Sequence, residues 1–237
     1  MLPISDSDTP GRRFPIVTWL LIAVNVLVFL YELSLGTGAR LEQFIQNWGA
    51  VPSVVLSGSL HGWLTLITSQ FIHAGWVHIG GNMLFLYIFG DDIEDVLGPI
   101  LYLLFYLFCG VVAGLTQSFV LARLIGEMNT AGIGASGAIA GVLGAYLVLY
   151  PRRPVQVLSL TSGGGQQGSV PAYVMLGLWF ITQFISGITA LDGAPNGNVG
   201  FWAHIGGFIA GAILILPFRS RASSTYSAGP GSGVRLT

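Results

Sequence analysis

The feature that most constrains this chain is a series of six apolar runs that contain no Asp, Glu, Lys or Arg. The runs are residues 14–31, 76–90, 99–121, 136–150, 170–190 and 199–218. Only 8% of the 237 residues are charged, whereas soluble domains have about a quarter, so the polar groups are too few to cover a surface in water. A helix needs about 20 residues to cross a bilayer. The runs therefore predict an all-α, polytopic membrane protein with six transmembrane helices.

The positions of arginine predict the orientation of these spans. Six spans place both ends of the chain on one side, and seven of the nine basic residues fall there: Arg12, Arg13, Arg152, Arg153, Arg219, Arg221 and Arg235. Basic residues accumulate on the cytoplasmic side. We expect both termini in the cytoplasm, with a short segment (1–13), a membrane domain (14–218) and a disordered Ser/Gly-rich tail (219–237).

The segment between the first two runs, residues 32–75, is long and half apolar. It carries Trp48 and Trp63, and amphipathic aromatic residues favour the membrane interface. We expect short helices here, lying partly in the outer leaflet.

Three polar residues fall at similar depths in alternate runs. With a rise of about 1.5 Å per residue, Ser136 lies about 21 Å above the inner end of its run. His204 lies roughly 18 Å up, and Asn82 roughly 13 to 20 Å above the acidic residues 91–95. These three runs all cross from outside to inside, so the groups should meet about 10 Å below the outer surface. Polar residues inside a membrane indicate a functional site.

The fourth run is too short to cross the membrane as a helix. The preceding residues 129–135, NTAGIGA, must then be non-helical at membrane depth, which is tolerated where backbone lines a water-filled cavity or is buried in protein. We expect Ser136 to cap a short helix at the floor of such a cavity. Small residues spaced along the fourth run and at Gly207 and Gly211 of the sixth allow the two helices to approach closely.

Close approach would bring Ser136 and His204 within hydrogen-bond reach. A serine hydroxyl becomes a useful nucleophile when a base takes its proton, and histidine is the usual base. No Asp or Glu lies in the fourth or sixth run, so the sequence predicts a Ser–His dyad rather than a triad. His78 and Asn82 are four residues apart on one helix face, where an amide can stabilise an oxyanion.

Other interpretations of these residues are less specific. Ser136 as a plain helix cap and Asn82 as interhelical glue remain open. A metal site is disfavoured because there is no H-E-x-x-H motif and no cysteine cluster. With a net charge of −1, the chain lacks the excess of basic residues that binding to nucleic acid requires. A small transporter would usually show internal repeats or further intramembrane charges.

The motifs resemble those of the rhomboid intramembrane serine proteases. The matching stretches are residues 134–137 (GASG), 203–207 (AHIGG) and 78–82 (HIGGN). The resemblance implies a six-helix bundle in a prokaryotic cell membrane that cleaves transmembrane segments of single-span proteins without a cofactor. It implies Ser136 as nucleophile, His204 as base and acid, and His78 with Asn82 around the oxyanion. An inactive rhomboid-like binding or quality-control module is the alternative.

The chain departs from the family pattern beside the histidine. In some rhomboid relatives, a tyrosine one turn after the nucleophile packs on the catalytic histidine. Here that position is Ala140. Some other group must therefore steady His204, and the sequence does not identify it.

Overall fold

The computed structural model describes residues 2–6, 14–161, 164–191 and 200–222. Within those residues the chain forms nine α-helices and three β-strands. The helices are α1 (Ile16–Ser34), α2 (Ala39–Trp48), α3 (Pro52–Val55), α4 (Leu60–Thr68), α5 (Trp76–Leu97), α6 (Pro99–Val120), α7 (Ser136–Leu149), α8 (Ala172–Leu191) and α9 (Phe201–Leu214). The strands are β1 (Leu2–Asp6), β2 (Pro154–Thr161) and β3 (Gly164–Pro171).

Each predicted apolar run lies on one of these helices. Among the described residues, four helical segments are long and apolar enough to span a bilayer, namely Ile16–Ser34, Pro99–Ile125, Ala172–Leu191 and Phe201–Ala222. The runs at 76–90 and 136–150 lie on α5, whose inner end carries the acidic residues 91–95, and on α7, which has only 14 residues. The chain is a multi-pass integral membrane protein, because each of the four segments is about the thickness of the hydrocarbon core.

Helix α7 lies in the middle of the bundle. Ten of its 14 residues are buried, and its neighbours are α5, α6 and α9. Its contact with α9 is made by glycines, as predicted. A Cβ atom added to Gly207 would overlap the carbonyl oxygen of Gly137, and one added to Gly211 would overlap that of Gly141. The two backbones therefore touch, which fixes the distance between side chains in the first turns of α7 and α9.

A buried carboxylate joins the inner ends of α1 and α5. Glu94 accepts hydrogen bonds from the backbone N–H groups of Val17 and Thr18 at 2.9 and 2.8 Å, and from the Thr18 hydroxyl at 2.8 Å. Helix α1 has no side-chain cap of its own, so Glu94 satisfies N–H groups that its first turn leaves free. A negative charge at a helix N-terminus also interacts favourably with the helix dipole.

The segment between α1 and α5 contains the short helices predicted there, α2, α3 and α4. Ser59 caps α4 by accepting a hydrogen bond from the Gly62 N–H at 3.1 Å. Trp48 and Trp63 are partly exposed on these helices. Their position in the outer leaflet stays a prediction.

The prediction of an all-α chain was wrong in one respect, because the three strands form an antiparallel sheet in the order β1-β2-β3. In β2, Val155 and Val157 are buried whereas Gln156 between them is exposed, the alternation of a strand with one covered face. The alternating stretch is short and lies outside the long apolar runs, so the membrane pattern hid it.

Buried polar contacts hold β1 against the membrane helices. The Tyr146 hydroxyl of α7 donates to the Asp6 carboxylate at 2.7 Å, and Arg153 contacts both Asp6 and Asp92. The strand within the predicted segment 1–13 is thus joined to the C-terminal ends of α5 and α7. Residues 219–222 are helical, and the rest of the predicted tail lies outside the described residues.

Candidate active site

Ser136 is the first residue of α7 and faces His204 of α9. The hydroxyl Oγ lies 2.8 Å from His204 Nε2, a hydrogen-bond distance between the two side chains that the sequence predicted to meet. Ser136 does not cap its helix, contrary to the prediction. The N-cap position is Ala135, which makes no side-chain cap hydrogen bond, and the serine hydroxyl contacts the imidazole instead.

The non-helical segment before α7 matches the prediction for residues 129–135. Its backbone is satisfied by the segment between α1 and α5. Ala50 and Gly132 exchange two hydrogen bonds of 2.9 and 3.0 Å, and the Gly134 N–H donates to the Ser69 carbonyl at 2.9 Å. Gly134 has φ +120°, which a residue with a Cβ rarely adopts. This glycine lets the chain turn into α7 directly beside His78.

His204 has a second side-chain partner, which the sequence argument did not find. Its Nδ1 atom lies 2.7 Å from the amide oxygen Oε1 of Gln183 on α8. The prediction of a dyad rested on the absence of Asp and Glu from the fourth and sixth runs, and it did not include an amide. A signal was present in the sequence, because a glutamine inside an apolar span is rare enough to indicate a function.

An aromatic ring lies against the same imidazole. Trp179, one turn before Gln183 on α8, stacks on His204 with ring centroids 5.7 Å apart and a tilt of 38°. Trp179 is thus the stacking partner that the sequence, with Ala140 one turn after Ser136, did not identify. Trp179 also contacts Phe208, one turn further along α9, at 6.1 Å. Helix α8 therefore supplies both groups that hold the His204 ring.

Two further predicted site residues, His78 and Asn82, lie on α5 and face the same cavity. The buried Nδ2 of Asn82 has no hydrogen-bond partner among the described residues. His78 Nδ1 accepts a hydrogen bond from the Ala74 N–H at 3.3 Å, so the proton of a neutral ring is on Nε2. A Cβ on Gly134 would lie 2.8 Å from that Nε2. Two donors, Asn82 Nδ2 and His78 Nε2–H, are thus available beside Ser136.

A second histidine, His73, supports His78 from behind. The two rings are 5.0 Å apart with an interplanar angle of 63°. Burial and then the neighbouring His78 lower the pKa of His73 to about 4, so its ring is neutral at neutral pH. The backbone N–H of His73 donates to the buried carboxylate of Glu32 on α1. This contact joins α1 to the chain just before α5.

The site includes one cavity of about 850 Å³. Ser136, His204, His78 and Asn82 all contribute to its wall, as do Trp179 and the polar side chain of Gln117. The predicted cavity at the start of α7 is therefore present. In the described part of the chain, no group of three His, Cys, Asp or Glu residues is arranged to hold a metal ion.

Comparison with known proteins identifies the family. The model of the Rhomboid domain matches residues 60–221, more than half of the chain. The chain belongs to the rhomboid family. This rhomboid is 29% identical over 216 residues to "Rhomboid-like protein 11, chloroplastic" of Arabidopsis thaliana, covering 89% of the chain and 68% of that protein.

Two Bacillus subtilis relatives carry protease names. This rhomboid is 27% identical over 204 residues to "Putative rhomboid protease YdcA", covering 86% of the chain and 88% of that protein. It is 31% identical over 205 residues to "Rhomboid protease GluP", covering 86% of the chain but only 36% of that protein.

The arrangement in this rhomboid can support acyl transfer chemistry. A hydroxyl contacts an imidazole nitrogen, that imidazole has a partner on its other nitrogen, and two hydrogen-bond donors line the same cavity as the hydroxyl. These are the parts that such chemistry requires: a nucleophile, a base, an orienting group and a site for the oxyanion.

Proposed function

We propose that this rhomboid is an intramembrane serine endopeptidase that cleaves transmembrane segments of single-span membrane proteins, with a Ser136–His204 dyad. The observation that carries the proposal is the 2.8 Å contact between Ser136 Oγ and His204 Nε2 at the wall of a cavity. A plain helix-cap role for Ser136 does not account for this contact, because the hydroxyl makes no cap hydrogen bond.

The reaction begins with proton transfer. His204 Nε2 takes the hydroxyl proton of Ser136 as Oγ attacks the carbonyl carbon of the scissile bond, giving a tetrahedral intermediate. The oxyanion accepts hydrogen bonds from Asn82 Nδ2, His78 Nε2–H and the backbone N–H of Ser136. Because Asn82 Nδ2 has no partner among the described residues, it is free to form that bond without breaking another.

The second half of the reaction returns the proton. The His204 imidazolium gives its proton to the leaving amine, the C–N bond breaks, and an acyl ester on Ser136 remains. A water molecule then attacks the ester carbonyl while His204 takes one of its protons. Collapse of this second intermediate breaks the bond to Oγ, and the proton on His204 restores the Ser136 hydroxyl.

The surroundings of the site support a membrane-embedded substrate. Helix α7 has only 14 residues, and Ser136 at its outer end lies inside the apolar part of the chain. A bond that reaches this serine must enter the bilayer, as the bond in a transmembrane segment does. In the proposed arrangement α5 and α7 complete six spans, and both termini lie in the cytoplasm of a prokaryotic cell.

The purified protein in liposomes, given a fluorogenic single-span peptide, tests the proposal. The wild type should cleave it, whereas Ser136→Ala and His204→Ala should each lose about 10⁴-fold or more in rate, since nucleophile and base act as a unit. Ser118→Ala is the matched control, because Ser118 also lines the cavity. Binding of the peptide without cleavage by the wild type would favour an inactive rhomboid-like binding module.

A further inference from the structure

Among the described residues, the side-chain partner of His204 Nδ1 is Gln183, at 2.7 Å. We propose that Gln183 is a positioning residue that fixes the tautomer of His204, so that α8 completes the active site. The inference rests on the proposed function, because it assigns Gln183 a role in the same reaction.

The tautomer decides whether His204 can act as a base. A neutral imidazole carries its proton on one nitrogen and accepts on the other. To take the Ser136 proton, Nε2 must be bare, so the ring proton must be on Nδ1. The Gln183 amide oxygen accepts a hydrogen bond from that Nδ1–H and selects this form. The opposite amide orientation would present N–H to Nδ1, put the ring proton on Nε2 and abolish the base.

Two contacts from one helix face define the ring. Trp179 and Gln183 are four residues apart, so they lie on the same side of α8. Trp179 limits the tilt of the imidazole by stacking, and Gln183 limits its rotation through the hydrogen bond. Neither contact alone fixes both degrees of freedom. Together they hold Nε2 toward Ser136. The methyl group of Ala140 is too small to stack on the imidazole in their place.

An amide suits this position because it orients without charge. An ionised carboxylate next to a buried histidine costs free energy to remove from water, whereas a neutral amide costs less. Amides in the third position of a nucleophile–histidine pair also occur in Cys-His-Asn proteases. The Gln183 amide therefore orients the ring but leaves the imidazolium without a full countercharge.

Helix α8, which carries Gln183 and Trp179, is less tightly packed than α7. Only four of the 20 residues of α8 are buried, against ten of 14 in α7. An outward displacement of α8 would remove Gln183 and Trp179 from His204 together, while Ser136 and the oxyanion donors on α7 and α5 stayed in place. The imidazole of His204 therefore has both of its orienting contacts only when α8 packs against α9.

Three variants of the full-length protein in one detergent test the inference. Gln183→Leu removes the acceptor and should lower kcat about tenfold with KM unchanged, the effect of one hydrogen bond. Gln183→Glu keeps an acceptor at the same place and should retain most of the turnover. Its carboxylate should also move the acid limb of the kcat/KM profile to higher pH, because it stabilises the imidazolium. Ile185→Leu, at a lipid-exposed position of α8, is the control and should match the wild type.

Nitrogen-15 NMR of ring-labelled histidine measures the tautomer without activity. The His204 signal, identified by its loss in His204→Ala, should show Nδ1–H in the wild type and a loss of this preference in Gln183→Leu. Wild-type kcat and tautomer in Gln183→Leu would overturn the inference, as would lost turnover with an unchanged tautomer. If Ser136→Ala were equally active, the proposed function itself would fail.

Discussion

Helices α7 and α8 both contribute to the candidate site, but they are held in the protein in opposite ways. Ten of the 14 residues of α7 are buried, whereas only four of the 20 in α8 are. The helix that carries Ser136 is fixed by its neighbours, and the helix that supports His204 lies at the edge of the bundle. The difference suggests that changes around α7 reduce folding and rate together, whereas changes in α8 reduce rate alone.

After loss of the nucleophile or the base, the largest effect is expected at Asn82, which faces the cavity from α5. Asn82→Ala removes a donor whose nitrogen has no other partner among the described residues, and kcat should fall about 10²–10³-fold with little change in KM. Steady-state kinetics on the reporter peptide measures both constants. Asn25→Ala is the matched control, because Asn25 is a buried asparagine of α1 whose amide donates to the Leu21 carbonyl at 2.7 Å and which is not among the residues that line the cavity. A normal kcat in Asn82→Ala would reduce Asn82 to interhelical glue.

The next effect is expected at the contact between α7 and α9. Gly207→Val would push its side chain into the Gly137 carbonyl, separating Ser136 from His204. A displacement near 1 Å at reacting groups can cost about 10²-fold in rate, and the thermal midpoint should fall with it. Ile213→Val, at an exposed position of α9, should change neither. Equal and small losses at both positions would mean that the glycines do not set the distance.

A smaller effect on turnover is expected at Trp179, which lies on the less buried helix α8. Trp179→Leu removes the ring that stacks on His204, and turnover should fall a few-fold to about tenfold, the range of an aromatic contact. The thermal midpoint should stay near that of the wild type because α8 is weakly buried. Phe184→Leu, an exposed aromatic of the same helix, provides the control. A large loss of thermal stability in Trp179→Leu would contradict the distinction between the two helices.

The fixed half of the site could be predicted from the sequence because it leaves regular signals. The short run after residues 129–135 and the spaced glycines placed Ser136 and Gly207 near their observed positions. The helix rise alone predicted that the side chains of Ser136 and His204 would meet, as they do. A buried helix such as α7 can be predicted from its sequence because tight packing on every side requires small residues at regular spacing.

The peripheral half could not be predicted in the same way. Gln183 is one polar residue on a lipid-facing helix, and which face it presents depends on how α8 packs on α9. The sheet was missed for a related reason, since β1 and β2 pair across more than 140 residues and β2 alternates over only a short stretch. Long-range contacts of this kind are not encoded in local periodicity.

The smallest effect on rate is expected far from the cavity, at Arg153. Arg153→Met removes the cation between Asp6 and Asp92, and breaking such a buried pair costs about 3–5 kcal/mol of stability. The thermal midpoint should fall while kcat of the folded protein stays unchanged. Adding Asp92→Asn should recover part of the lost stability, because it removes the buried charge that paired with Arg153. A drop in kcat as large as that of Gly207→Val would show that the contacts of Arg153 with Asp6 and Asp92 control the active site.

The central claim is that Ser136 is a nucleophile activated by His204, and covalent labelling tests it most directly. The purified protein is treated with a fluorophosphonate and the adduct is mapped by mass spectrometry. We expect a single adduct on Ser136 that is lost in Ser136→Ala and forms much more slowly in His204→Ala. An adduct on another residue, or labelling of Ser136 at an unchanged rate in His204→Ala, would contradict it.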